Sequence, residues 1–349
     1  MHYSHVLRTD GGGALGFGHV NRCLSLASAI RAHGGAPEIV LGSADSNVID
    51  RIAQAGHATR KLAAAKRYNA TETLGGAARA IFDFSHARTH EASREAAVML
   101  GQAHDDGART LLIDSIGRDC LGALQRLSVD ILAIPYAGAE EQDIISGPAI
   151  EARGTDFFVL DAGFVEYRSA VEPESHVQPS VLVTAGGSDP AGLTPLFLAA
   201  LARIATPVDI RVVIGPGFSA ELKSKIEQQT AELDHNTTLL TAPVSLTEEI
   251  FAADLALSAS GLTKYELAYA GTPCILISID LAHHRANRAF AELGSCLDAG
   301  LMSDVTPSQL AAQIETLLKD PEKQQDMATL GRAAVDGKGL QRMLELLDD

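Results

Sequence analysis

VLRTDGGGALGFGHVNRCLSLA, residues 6–27, runs from a short apolar segment through a glycine-rich turn into a helical pattern. The string Gly11-x-Gly13-x-x-Gly16 fits the G-x-G-x-x-G spacing of dinucleotide-binding turns, which needs its structural context to carry weight. That context is absent: the strand ends on the polar Arg8-Thr9-Asp10, and the best downstream acid for a ribose, Asp45, lies in a serine-rich loop. No Gly-Lys-Ser/Thr follows, which excludes a Walker A loop. The other reading is a backbone that approaches a ligand closely and presents His19 in the first turn of a helix. There the positive end of the helix dipole disfavours the imidazolium and leaves His19 able to accept a proton. A histidine that merely caps or packs fits the same residues.

Outward from this stretch, apolar runs alternate with amphipathic helical patterns. Residues 4–8, 38–42, 80–84, 110–114 and 130–134 read as strands, with helices over 20–32, 47–55 and 91–103. The runs are nearly continuous in apolar residues, as in parallel strands covered on both faces. At residue 181 the pattern restarts, with strands at 181–185, 211–215, 237–241, 255–259 and 274–278 and helices at 193–204, 220–233, 263–269 and 285–293. Each half opens with a strand, a glycine-rich turn and a long helix, which predicts an α/β fold of two Rossmann-like domains in tandem with a ligand cleft between them. The polar, proline-containing stretch 163–180 marks the boundary, giving domains 1–165 and 166–349. Beyond Thr306 the chain reads as helical, and such a tail could brace the first domain.

The composition narrows the function classes. The 349 residues are 46% hydrophobic with a formal net charge of -16. Mean hydropathy is +0.09 and the pI about 5.1. The acidity argues against nucleic acid or an anionic membrane as partner, since polyanions are held by clustered Lys and Arg. Cys23, Cys120, Cys274 and Cys296 are scattered, so buried reduced thiols are expected rather than disulfides or structural zinc. No apolar run reaches the roughly 18 residues of a membrane span, and no signal-peptide core is present. These features predict a cytoplasmic protein without membrane insertion.

Two further turns could hold an anion. GGSDP (186–190) follows a strong strand and precedes a helix, so Gly186, Gly187 and Ser188 could offer N–H donors. An ordinary turn with Asp189 as N-cap fits equally well. SASGLTKYE (258–266) repeats the arrangement: Ser260, Gly261, Leu262 and Thr263 could donate to phosphate, and Glu266 could accept from a ribose diol. The plainer alternative makes Thr263 a cap and Glu266 a solvated acid. His86 with His90, and His283 with His284, lack a third ligand at zinc spacing, so no metal is expected. Asp83 and Asp114 each close an apolar strand, where site residues and helix caps both occur.

Taken together, GFGHVNRCLSLA (16–27), GTDFFVLDAGFVEYR (154–168), VLVTAGGSDPAGLT (181–194), SASGLTKYELAYAGTP (258–273) and VDGKGLQR (335–342) resemble the PseG/SpsG family of nucleotide-sugar enzymes. The diagnostic activity of that family is hydrolysis of a UDP-linked diacetamido-trideoxy-altrose in pseudaminic acid biosynthesis. The segment 258–277 also resembles the donor-binding part of MurG-type glycosyltransferases. The resemblance implies a GT-B fold, a UDP-sugar substrate and no cofactor. It implies UDP held by Gly186, Gly187, Ser188, Ser260, Gly261, Leu262, Thr263 and Glu266, and His19 activating water at the anomeric carbon. Gly16, Gly18, Arg22, Asp83, Ser85, His284, Arg285 and Asn287 would face the sugar. Two positions depart from the family pattern. Its Asp-x-Tyr reads Asp83-Phe84-Ser85, and its Asn-Gln pair is replaced by His284-Arg285, with Asn287 further along. Both departures fall on the sugar side, leaving the UDP site intact and the identity of sugar and acceptor open.

Overall fold

The computed structural model describes residues 3–12, 17–83, 90–114, 126–141, 146–170 and 178–349. The chain forms two compact units, Met1–Asp161 with Gly337–Asp349, and Ala162–Asp336.

In the first unit, β1 (His5–Thr9), α1 (Gly18–Ala32), β2 (Pro37–Leu41), α2 (Ser46–Gln54) and β3 (Ala58–Lys61) are followed by α3 (Ala70–Leu74), β4 (Arg79–Asp83), α4 (His90–Asp105), β5 (Arg109–Ile113), β6 (Ile131–Ile134) and β7 (Ile150–Arg153). The sheet is parallel in the order β3-β2-β1-β4-β5-β6-β7. β1 and β2 are buried at every position, including the polar His5, Arg8, Thr9 and Glu38. One face of the sheet is covered by Val20, Cys23, Leu26 and Ile30 of α1 together with Val48 and Ile52 of α2.

The second unit begins with α5 (Ala162–Ala170) and continues through β8 (Ser180–Thr184), α6 (Leu193–Leu201), β9 (Asp209–Ile214), α7 (Ala220–Ala231), β10 (Asn236–Thr241), α8 (Thr247–Phe251), β11 (Leu255–Ser258), α9 (Thr263–Ala270), β12 (Cys274–Ser278), α10 (Leu281–Ala291) and β13 (Cys296–Leu301). Its sheet is again parallel, in the order β10-β9-β8-β11-β12-β13.

Three helices follow: α11 (Pro307–Leu318), α12 (Pro321–Ala334) and α13 (Gly339–Asp348). Leu310, Ile314 and Met327 bury α11 and α12 in the core of the second unit. Only α13 belongs to the first unit, where Met343 and Leu347 enter the core beneath α1. A side chain at Gly339 would collide with the Phe158 carbonyl at 2.2 Å, so glycine is what lets α13 begin against that segment. Arg79 and Arg109 donate to the carbonyls of Leu347 and Leu346, placing cations at the negative end of α13. Among the described residues, no helix is long and apolar enough to cross a membrane. Cys23, Cys274 and Cys296 are buried free thiols; Cys120 lies outside the described residues.

Candidate functional site

In the first sheet the strand order reverses between β1 and β4, whose carboxyl ends lie side by side with Thr9 opposite Asp83. Ligand sites in open α/β sheets gather at such reversals. His19 and Arg22 are three residues apart on α1 and therefore share a face. Both meet Asp83. The His19 Nδ1 lies 2.7 Å from Asp83 Oδ1, while Arg22 donates from Nε to Oδ2 at 2.5 Å and from Nη2 to Oδ1 at 2.6 Å. A carboxylate only accepts, so Nδ1 carries a proton in this arrangement, and in the neutral ring the lone pair is then on Nε2. The Asp83 and Arg22 side chains are 0% and 4% exposed, against 28% for His19, so the imidazole is the member of the cluster that reaches solvent.

Tyr136, just beyond β6, completes the cluster: its hydroxyl accepts from Arg22 Nη1, and the guanidinium carbon lies 5.8 Å from the ring centre. Sequence reasoning missed this residue. It follows the apolar run ending at Ile134, and nothing local distinguishes it from a core tyrosine. The structure thus supplies a tyrosine from another strand end, while Ser85 lies outside the described residues.

Burial alone would raise the Asp83 carboxyl, but Arg22 and then His19 outweigh it and hold the acid below the usual carboxylate range. Burial would likewise lower Arg22, yet the charge of Asp83 keeps it well above its ordinary value. Tyr136 is raised, by burial first. Arg22 and Asp83, both expected to face the sugar, are committed to each other and to holding His19. Gly18 is half-buried at the start of α1; Gly16, His86 and the side chain of His90 lie outside the described residues. Asp114 closes β5 and is buried. Asp45 caps α2, accepting from the Val48 N–H at 3.1 Å, and its carboxylate sits where any side chain on Gly12 would be. A residue so used is not a free ribose acceptor.

In the second sheet the order reverses between β8 and β11, with Thr184 opposite Ser258. The turns at 186–188 and 259–262 are therefore neighbours at one switch point. The backbone N–H groups of Gly186, Gly187 and Ser188 donate to no acceptor among the described residues. The turn is braced from behind: Gly217 N–H donates to the Gly187 carbonyl at 2.8 Å, and a Cβ on Gly215 would stand 2.4 Å from that oxygen.

Asp189, buried at φ +40°, accepts from the Leu193 and Thr194 N–H groups at 2.7 and 2.9 Å, so the first amides of α6 are already taken. Asp189→Ala removes this cap while keeping the left-handed backbone, a loss of about 0.5–2 kcal/mol. Asp189→Gly removes the cap but relieves the backbone, so thermal unfolding should rank wild type above glycine and glycine above alanine.

The other turn differs. No side chain caps α9, Thr263 lies inside the helix, and the N–H groups of Ser260, Leu262, Thr263 and Lys264 have no acceptor among the described residues. Glu266 is half-buried in the same first turn. An uncapped helix start beside free loop amides is what an anion requires.

Of the remaining expected residues, Arg285 is exposed. His284 Nδ1 stands 3.3 Å from Asp298 Oδ2, at ion-pair distance but without hydrogen-bond alignment. Asn287 is 0% exposed and its amide is fully engaged inside the unit, which takes it off the sugar-facing surface. Among the described residues no three His, Cys, Asp or Glu side chains converge as a metal site requires.

Residues 180–339 match the glycosyltransferase family 28 C-terminal domain. The spore coat polysaccharide biosynthesis protein SpsG of Bacillus subtilis (strain 168) is 26% identical over 215 residues, 61% of this chain and 62% of that protein. The chain thus matches a little under two thirds of that relative's length. Acinetobacter baumannii MurG superposes with a TM-score of 0.67 at 15% identity, covering 99% of both chains. Anabaena Alr3699/HepE, solved with UDP-glucose, superposes with a TM-score of 0.62 at 14% identity, covering 99% of this chain and 100% of that one. Two parallel-sheet α/β units of this kind give the chain the GT-B fold. In sequence the chain is similar to SpsG over 215 residues and to the family 28 domain over 180–339.

Proposed function

We propose that this protein hydrolyses a UDP-linked deoxy-amino sugar to UDP and free sugar, a step in making a surface polysaccharide or nonulosonic acid. The observation that carries the reading is the cluster in which buried Asp83 and Arg22 fix an accessible His19. With Nδ1 held by Asp83, Nε2 takes a proton from water as the water oxygen forms its bond to the anomeric carbon. The bond from that carbon to the β-phosphate oxygen breaks with its electrons, and UDP leaves. The free amides of Ser260 and of residues 262–264 at the start of α9 would bind the diphosphate and stabilise its growing charge, with the 186–188 turn alongside. Glu266 would accept from the ribose. The similarity to a polysaccharide biosynthesis protein, and to HepE solved with UDP-glucose, supports the reading of a UDP-sugar substrate. The protein would need no nucleic acid partner, would not insert in membranes and would act in the cytoplasm.

The family 28 domain match favours a second reading, in which the same base deprotonates an acceptor hydroxyl and the sugar is transferred. UDP release from the UDP-linked diacetamido-trideoxy-altrose, followed by NMR with no acceptor added, separates the two. Wild type should release UDP and free sugar, and His19→Ala should be slower by about 10²–10⁴-fold. Release only upon addition of an alcohol acceptor would replace hydrolysis by transfer. An unchanged rate in His19→Ala would remove His19 as the base.

A further inference from the structure

Lys264, the second residue of α9, is a cation enclosed in the second unit. It is 4% exposed, with no carboxylate at ion-pair distance among the described residues. Its Nζ lies 3.0 Å from Asn287 Oδ1 and 3.3 Å from the Ala286 carbonyl, between the rings of Tyr265 and Phe290 at 5.6 and 5.2 Å. An ammonium only donates. The amide atom facing it must therefore be the oxygen, which settles which way the Asn287 side chain is turned. The amide nitrogen then points to Ser260 Oγ at 2.6 Å and Ser278 Oγ at 2.9 Å, and each of its two protons has one of these as acceptor.

The consequence falls on Ser260. Its oxygen accepts from Asn287, so its own proton cannot point back along that contact. The hydroxyl has no other partner among the described residues and is half-buried beside the free amides of Ser260 and residues 262–264. We infer that Lys264 and Asn287 form a polarity relay that fixes Ser260 as an outward hydrogen-bond donor, aimed at the diphosphate of UDP. The inference rests on the nucleotide reading proposed above. Neither Lys264 nor Asn287 touches the nucleotide in this scheme; both are positioning residues.

The relay can be reversed with little change of shape. In Asn287→Asp both side-chain oxygens accept, so the ammonium gains a carboxylate partner and the Ser260 proton is drawn inward. The probe is UDP itself, with uridine as the ligand that lacks phosphate, and affinities are measured by calorimetry on the full chain. Ser260→Ala, Asn287→Asp and Lys264→Met should each weaken UDP by about ten- to a hundredfold, the range of one hydrogen bond to a charged group. Uridine binding should not change. Because all three act through one hydroxyl, Asn287→Asp in the Ser260→Ala background should cost nothing further. Full affinity in Asn287→Asp, additive losses in the double variant, or an equal loss for uridine would overturn the relay while leaving the nucleotide site in place. Failure of the wild type to bind UDP would instead remove the nucleotide reading, and the relay with it.

Discussion

Asp83→Ala should unfold the first unit at markedly lower denaturant than the wild type, a loss of about 3–5 kcal/mol. The reason is the partner it abandons. Arg22 is almost wholly buried and both arms of its guanidinium facing Asp83 depend on that one carboxylate. An unpaired buried charge is far costlier than the pair is stabilising. Asp83→Asn keeps the shape and one acceptor oxygen, so its stability should fall less. Its activity should still fall by about 10²–10⁴-fold, because the amide no longer obliges His19 to carry its proton on Nδ1. Chemical denaturation beside initial rates separates the two effects. An alanine variant as stable as the wild type would show that Arg22 finds another anion or water. Since Asp83 titrates below the ordinary carboxylate range in the folded state, its stabilisation is complete above the unfolded value. It is lost only as pH falls through the lower folded value. Mild acid should therefore leave this cluster standing.

Lys264→Met should move stability the other way, and only in one pH range. Burial lowers Lys264 from 10.5 to about 8, against a partial opposing pull from Cys296, Cys274 and Asp298. The folded state thus binds this proton more weakly than the unfolded chain. Below pH 8 the charged amine opposes folding in full, by about 3 kcal/mol at 1.36 kcal/mol per pKa unit. Between about 8 and 10.5 that penalty disappears as the unfolded lysine also loses its proton. A methionine side chain has no such proton, so the variant should be the more stable protein near neutrality and the advantage should shrink on raising the pH through this window. Urea melts across pH 6 to 10.5 measure it directly. A pH-independent difference would mean that Lys264 titrates normally in the folded chain. A more stable protein that binds UDP less well would separate the residue's contribution to the site from its cost to the fold.

The interior strands were legible because they are buried on both faces. β1, β2, β8 and β12 are covered throughout and carry apolar residues at most of their central positions. The strands absent from the sequence reading are β3, β7 and β13, and each lies at the edge of its sheet. ATRK, IEAR and CLDAGL alternate or lack apolar residues because an edge strand meets solvent along one side, so burial no longer writes itself into the sequence. His19 and both anion turns were visible for the opposite reason: glycines beside a helix start leave a local mark. Tyr136 and Lys264 left none. Each acquires its significance from a partner far along the chain, Arg22 in one case and Asn287 in the other, and only the sheet order brings those partners together. Asn287 shows the limit in reverse, since a polar residue near a presumed sugar site turns out to serve the interior.

The position of α13 bears on the order in which the two units mature during synthesis. Ribosomes release domains from the amino terminus onward, and most domains close as they emerge. Here the sheet of the first unit is made early, but Met343 and Leu347, which seal part of its core, are translated only after the whole of the second unit. The second unit, Ala162–Asp336, is contiguous and can close before them. The unit begun first is therefore finished last. Until then the surface that α13 will cover, carried by α1 together with the His19 site, stays open to chaperones.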